Sequence, residues 1–498
     1  MINLRRAEAH DAEAIFEIEK ACFSVPWSME AIETELAETD QRMYMVIEVD
    51  DKVIGYAGAW LVLDEGQITN IAIAPEYRRD GYGAMMTRKL IRELFKKRYE
   101  RNIFRSAYIQ CGGPYYVSPF RFYRKRPTQG LLHRPRRRCV HYVINKRRGG
   151  LGMKVYTLAI ESSCDETSAA VLVNGRQVLS NVISSQVPIH QKFGGVVPEI
   201  ASRHHIEQVI PVVDQALADA GVTLTDINHI GVTYGPGLVG SLLVGVAAAK
   251  GLSFATDIPL IGVHHMEGHI FANFLAHPDL EPPFLSLVVS GGHTMLVVVK
   301  DYETFEVLGQ TRDDAAGEAF DKIARVMGYP YPGGPQIERV GADGNPTAIE
   351  FPKALQEKGN FEFSFSGLKS AVLNYLNSAK QKGEAINEAD VAASFQQAII
   401  DVLVEKTIEA AHATGQTKVT LAGGVSANRH LQDALAAACE KEGLTFYRPS
   451  SILATDNAAM IGCRAYYMSL AGKFADLHLN AKPSIPLGQT PPLKSMPI

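Results

Sequence analysis

The chain has 498 residues, of which 46% are hydrophobic and 21% charged, with a net charge of −4. That length predicts about three domains of ordinary globular composition, and the slightly acidic balance argues against a broad basic field for nucleic acid, though not against a local patch. Six scattered cysteines with no CxxC pair argue against a disulfide framework or a cysteine zinc knuckle. The N-terminal MINLRRAEAHDAEAIFEIE has no signal-like apolar run. The longest small-apolar stretch, Leu238 to Ala249, is shorter than the roughly 20 residues that span a membrane. These features predict a cytoplasmic protein with no membrane segment.

Residues 1–102 read as a compact α/β unit. Ala9 to Ala21 has helical spacing. Met43 to Val49 and Val53 to Val62 read as strands around the turn Asp50-Asp51-Lys52, Gln67 to Ala74 as a third strand, and Tyr82 to Lys97 as a helix. Between the last two lies Arg78-Arg79-Asp80-Gly81-Tyr82-Gly83. There the glycines let backbone approach a pyrophosphate and the helix start presents free N–H groups. The strand, the Ala74-Pro75 step and this turn resemble the acetyl-CoA site of the GNAT acetyltransferases, nearest to the RimI type that acetylates the N-terminus of a ribosomal protein. The resemblance implies acetyl-CoA at Ile73, Arg78, Arg79, Gly81 and Gly83. That family continues with a strand, an Asn-x-x-Ala-x-x-Leu-Tyr helix and a Gly-Phe turn, which supply a tyrosine general acid. None of them occurs from Ile103 to Gly152, so the GNAT-like domain is partial.

Residues 103–152 contain no Asp or Glu and are dense in Arg, Tyr, Pro and Gly, as in PFRFYRKRP and HRPRRRC. A solvated basic linker, an RNA-binding arm and a frame-shifted segment all fit, and the third fits best. Clean patterning restarts at Met153 and continues to residue 486. Residues 487–498 read as a loose Pro-rich tail.

Three glycine- and hydroxyl-rich turns punctuate this second part. They are Glu161-Ser-Ser-Cys-Asp165-Glu166-Thr167, Val288-Val289-Ser290-Gly291-Gly292-His293-Thr294 and Ala422-Gly423-Gly424-Val425-Ser426-Ala427-Asn428. Each brings small residues to a strand end, as a phosphate or nucleoside needs for close approach. Two similar hairpins in successive halves suggest a duplicated fold of the actin/Hsp70/sugar-kinase kind, with two ribonuclease-H-like α/β lobes. In His264-His265-Met266-Glu267-Gly268-His269, His265 and His269 share a helical face and can chelate one ion, while His264 points elsewhere. Asp456 is the candidate carboxylate, with a helix N-cap as its competing role. A zincin is a poor fit, because Glu267 is displaced by one residue from the general-base position.

The strings ESSCDET, GGVVPEIASRHH, YGPGLVGSLLVG, HHMEGH, VSGGHT, DDAAGEAFDK, YPGGP, FSFSGLK, AGGVSANR and TDNAAM, spanning Lys154 to Pro486, resemble the TsaD family closely. The resemblance implies transfer of threonylcarbamoyl from threonylcarbamoyl-AMP to N6 of adenosine 37 in tRNAs that read codons beginning with A. It further implies a divalent iron or zinc ion on His265, His269 and Asp456. The adenylate would lie on Val288, Val289, Ser290, Gly291 and Gly292, with Asp321, Gly334 and Asn428 completing the pocket. TsaB- and TsaE-like partners would act in trans, and the aliphatic helix Gly237 to Ala255 would lie near a partner interface. Asp165 and Glu166 would support the site or face tRNA. Asp321 has a competing role as a surface salt-bridge partner. A small-molecule kinase on the same fold and a non-enzymatic scaffold are the rivals.

Overall fold

The computed structural model describes residues 2–94, except 24–25, 38–40, 63–64, 79, 84, 88 and 91–92, and residues 154–488. The basic segment 103–152, Arg79 and the tail from 489 therefore lie outside the described residues. The chain divides into two compact units, Met1–Val155 and Tyr156–Ile498.

The first unit is an antiparallel sheet of β1 (Ile2–Arg6), β2 (Arg42–Val49), β3 (Lys52–Val62) and β4 (Glu65–Ile73), in sequential order. Asp50 and Asp51 both take positive φ, 48° and 64°, as the tight β2–β3 hairpin turn requires. Helix α1 (Ala12–Cys22) buries Ile15 and Ile18 beside Val46 and Tyr56 of the sheet. Helix α2 (Met29–Leu36) starts at Ser28, whose hydroxyl accepts from the Ala31 amide.

The second unit contains one topology twice. Its first lobe has β5 (Tyr156–Glu161), β6 (Glu166–Val173), β7 (Gln177–Ser185), β8 (His229–Gly235) and β9 (Leu260–His264), in the order β7-β6-β5-β8-β9. Its second lobe has β10 (Phe284–Val289), β11 (Thr294–Val299), β12 (Phe305–Gln310), β13 (Lys418–Ala422) and β14 (Thr445–Tyr447), in the order β12-β11-β10-β13-β14. In each, three strands meander antiparallel and two more add in parallel on the other side. Parallel neighbours need crossovers. These are α3 (Pro198–Ala220) and α4 (Val239–Thr256) in the first lobe, and α6 (Ala316–Val326), α7 (Gly333–Gly341), α8 (Ser366–Lys382), α9 (Glu388–Thr414) and α10 (Arg429–Lys441) in the second. The duplicated ribonuclease-H-like architecture read from the sequence is present.

A helix that follows the last strand of each lobe reaches across to the other lobe. Helix α5 (His265–Ala276) leaves β9 and packs on β10 and β13 of the second lobe, and α11 (Ala458–Leu470) returns to cover β5, β6 and β8 of the first. They share one buried core with both sheets, from Ala159 and Leu172 to Val288 and Val297. Gly268 allows α5 to approach α11 closely, since a Cβ there would stand 2.6 Å from Ile461 Cδ1.

Helix α4 matches the aliphatic helix read over Gly237 to Ala255 and runs one residue further, to Thr256. Its 18 residues at a mean hydropathy of 1.5 suffice by length and composition to cross a membrane, which corrects the length argument drawn from the shorter stretch Leu238 to Ala249. In the fold it packs on β8 and α3. It buries Leu242, Val246, Ala249 and Leu252, while Val239 and Leu243 stay exposed.

Candidate metal centre and substrate cleft

Helix α5 starts one residue after β9, and His264 caps it. Its Nδ1 accepts from the Met266 amide (3.2 Å) and its Nε2–H donates to the Ile485 carbonyl (3.1 Å). That leaves His265 and His269 one turn apart on one face, their ring centroids 4.6 Å apart. At the start of α11 it is Asn457, not Asp456, that caps, accepting from the Met460 amide (3.1 Å), so the carboxylate is free to turn inward. Asp456 Oδ1 lies 3.1 Å from His269 Nε2 and 3.5 Å from His265 Nε2. One ligand atom from each of the three residues falls within 4.8 Å of the others.

The donor set fits a divalent transition ion. Both ring nitrogens of His269 are buried and make no hydrogen bond, so the short approach to Asp456 has the separation of two ligands facing one point rather than a donor-acceptor direction. Burial opposes charge on His265, yet Asp456 and Glu161 outweigh it and push the imidazole up to about 9, so an ion would take Nε2 by displacing its proton. Burial likewise opposes charge on Asp456, but the two histidines hold its carboxyl down at about 2, in the ligating form.

Glu161 is the residue the sequence reading missed. It ends the apolar strand β5, fully buried, and its Oε2 stands 3.2 Å from His265 Nδ1. The same carboxylate accepts from the Ser163 amide (2.6 Å) and the Thr233 hydroxyl. A carboxylate on the second ring nitrogen fixes the tautomer and leaves Nε2 for an ion. The signal for Glu161 in the sequence was its place as an acid closing an apolar strand at the head of the ESSCDET turn, to which the sequence reading gave no role. His205 was missed as well. Its Nε2–H donates to the Cys164 carbonyl and its Nδ1 accepts from the Thr167 hydroxyl, both at 2.8 Å, which ties α3 to the first turn.

The second turn lies beside this cluster. Val288 and Val289 are buried in β10. The Ser290 amide donates to the His293 carbonyl (2.8 Å), closing the hairpin. Burial first, then His265, His264 and His269, push the His293 imidazole down to about 4. Gly291 and Gly292 are exposed, with open space where side chains would stand. Gly317, in the first turn of α6, abuts Ser290 and Gly291, and Gly423 of the third turn abuts Val289. The second and third turns and a helix N-terminus thus gather on one side of the interlobe cleft.

Asp321 is not a surface salt-bridge partner. Its carboxylate accepts from the Gly333 amide (2.7 Å), next to Gly334, while Lys322 pairs with Asp314 and Glu318. Burial raises the Asp321 carboxyl. Asn428 caps α10, accepting from the Leu431 amide (3.0 Å), and donates to Gln396 (2.7 Å). Across the cleft, the Tyr331 hydroxyl donates to Asp165 (3.3 Å). Burial and then Asp165 and Asp456 push Glu166 up to about 10.

In the first unit, a cleft of about 330 Å³ is lined by Cys22, Ile73, Arg78, Tyr82 and Gly83 among others. Gly81 sits in the turn at φ 82°. The Arg78 guanidinium is folded back onto the Ile73 carbonyl (3.0 Å) and Cys22 Sγ (3.1 Å).

Known proteins share both units. The family profile described as TsaD, tRNA N6-adenosine threonylcarbamoyltransferase, matches residues 177–463, and that of the acetyltransferase (GNAT) family matches residues 12–107. A tRNA N6-adenosine threonylcarbamoyltransferase of Clostridium botulinum is 60% identical over 332 residues, covering 67% of this chain and 98% of its own. One from Clostridium perfringens is 59% identical over 336 residues, covering 68% and 99%. Among solved structures, the ribosomal-protein-S18-alanine N-acetyltransferase of Escherichia coli is 27% identical over 22% of this chain and 66% of its own, with a TM-score of 0.20. A match of this length and identity, over a second unit whose motifs gather around one cleft, makes the chain a member of the TsaD family of tRNA N6-adenosine threonylcarbamoyltransferases.

Proposed function

We propose that the second unit moves a threonylcarbamoyl group from threonylcarbamoyl-AMP to N6 of adenosine 37, in tRNAs reading codons that begin with A. The observation that carries this reading is the convergence of buried His265 and His269 with half-buried Asp456, beside a turn of half-buried Ser290 and exposed Gly291 and Gly292. These three residues would hold one Fe2+ or Zn2+ ion. When bound, the ion supplies Lewis acidity to a carbonyl that a weak amine must attack. The amides of Gly291 and Gly292 would face the adenylate phosphate, with Val288, Val289 and Ser290 holding that turn in place, and Asp321, Gly334 and Asn428 would frame the nucleoside. Glu161 holds the His265 ring in place. As the N6–C bond forms, N6 gives up one proton to solvent, the carbon–oxygen bond of the mixed anhydride breaks and AMP leaves with its electron pair, so no covalent nucleophile is needed. A small-molecule kinase would have no use for the histidine pair.

TsaB- and TsaE-like proteins would act in trans in the cytoplasm, and the exposed Val239 and Leu243 edge of α4 suits a protein partner. In the first unit, the cleft at Ile73, Arg78, Gly81 and Gly83 would take acetyl-CoA. Acetyl transfer is not assigned to it, because the tyrosine helix of that family's pattern is not in the sequence.

The test is nucleoside mass spectrometry of tRNA from cells lacking their own enzyme. Threonylcarbamoyladenosine should return with this chain and stay absent with His265→Ala plus His269→Ala. No return with the unmodified chain would sink the transfer reading, and full return with the double variant would sink the metal reading.

A further inference from the structure

Glu267 lies two residues from each histidine ligand, so on α5 it faces away from both. It is 5% exposed, and its carboxylate accepts a 2.6 Å hydrogen bond from Nε of Arg464. Arg464 is 2% exposed, and its Nη1 donates to the Tyr302 carbonyl and to Glu303, both at 2.7 Å. Its guanidinium lies 4.9 Å from the Phe271 ring centroid and 5.3 Å from that of Phe305. Glu303 has a second partner in Lys473.

The placement of this pair matters more than its existence. Arg464 is on α11, the helix that Asp456 and Asn457 introduce, and Glu267 is on α5, which carries His265 and His269. The two elements that deliver the three candidate ligands are therefore joined by one buried ion pair. The rest of their contact is mainly apolar, as at Gly268 against Ile461 and Met460 and at Phe271 and Phe274 against Tyr467. Such contact is non-directional and leaves the roll and axial slip of a helix loosely set. Metal ligation tolerates only roughly 0.2 Å of error, whereas a guanidinium fork on carboxylates is directional. A buried pair adds little net stability over an apolar substitute, so stability alone is a weak reason for it.

We infer that Arg464, Glu267 and Glu303 are positioning residues for the metal centre. They set the roll and register of α5 against α11, and through them the convergence of His265, His269 and Asp456. The inference rests on the metal reading proposed above.

The full chain, stripped of metal, is titrated with Zn2+ against a chromophoric chelator and, separately, with Co2+ to read the visible ligand-field bands. Glu267→Gln combined with Arg464→Met removes both charges and leaves Glu303 with Lys473. Arg464→Lys keeps the charge but loses the two-pronged reach. Both variants should unfold cooperatively and bind Zn2+ roughly tenfold or more weakly than the wild type, with altered Co2+ bands. Should the double variant not fold, Arg464→Lys alone decides. A folded variant with wild-type Zn2+ affinity and wild-type Co2+ bands overturns the inference while leaving the metal reading intact. A wild-type chain that takes up no Zn2+ overturns both.

Discussion

At Asp456 and Asn457, two adjacent polar residues divide two jobs. Either can cap a helix, and only the carboxylate can ligate a hard or borderline cation well. Asn457 takes the cap, and Asp456 turns toward the histidines. The sequence holds both residue types in order but does not say which performs which task, because capping depends on backbone angles at one position. Glu161 was harder still to find. A buried acid has no periodic signature, and its partners His265 and Thr233 come from distant elements. Replacing it tests the assignment. Glu161→Gln should weaken Zn2+ binding roughly 10- to 100-fold, because the amide cannot hold the charge that orients His265. Unchanged affinity in a chelator competition would show that the ring is held otherwise. Far from this centre, His229 makes a separate prediction about acid. Its Nδ1 is buried without a hydrogen-bond partner, and burial alone lowers its pKa from 6.5 to about 4. The unfolded chain then binds the proton first as pH falls. The stability tied to a neutral His229 is whole above about 6.5 and is lost progressively toward 4. His229→Phe should therefore shrink the loss of unfolding free energy between pH 7 and pH 5 by roughly 1–2 kcal/mol. Urea titrations at the two pH values would measure it, and an unchanged difference would refute burial of His229 as a source of acid sensitivity.

Elements were more legible than single side chains. Strands were read around each glycine-rich turn, and the likeness of two hairpins gave the duplication, which the matching strand orders now make explicit. The reach of α4 was legible to within two residues at either end, Gly237 to Ala255 from the sequence against Val239–Thr256 in the fold. The tight contact of the third turn against the second was not legible. Gly423 holds φ 89°, and a Cβ there would stand 2.4 Å from the Val289 carbonyl oxygen. Neither backbone can give way without moving β10 or β13. Gly423→Ala should therefore cost about 2–4 kcal/mol through a left-handed φ and a backbone clash together. It should also weaken AMP binding, because Val289 leads directly into Ser290. Denaturant unfolding and calorimetric titration with AMP measure the two effects. A variant of wild-type stability would mean that the close approach is not rigid.

At the scale of the whole molecule, the chain carries two units with separate cores. The four-stranded sheet of the first closes on α1, while the second builds its interlobe core from its own two sheets and two helices. The threonylcarbamoyltransferase match, over 177–463, lies entirely inside the second unit, and the relatives are covered over 98% and 99% of their own length. Every residue assigned to the metal or the adenylate also lies there. A domain with its own core and its own site needs nothing from its neighbour to fold. Residues 153–498 alone should thus unfold in one cooperative transition, at the temperature where that unit melts in the full chain, and should restore threonylcarbamoyladenosine to within about twofold of the full chain. Acetyl-CoA should raise the melting temperature of the full chain's first unit and leave residues 153–498 unmoved, by linkage to a site that only the first unit holds. If the shorter chain folds but makes no modified nucleoside, the first unit contributes to catalysis in a way that neither core accounts for. If acetyl-CoA shifts the shorter chain, the cleft at Ile73 and Arg78 is not its site.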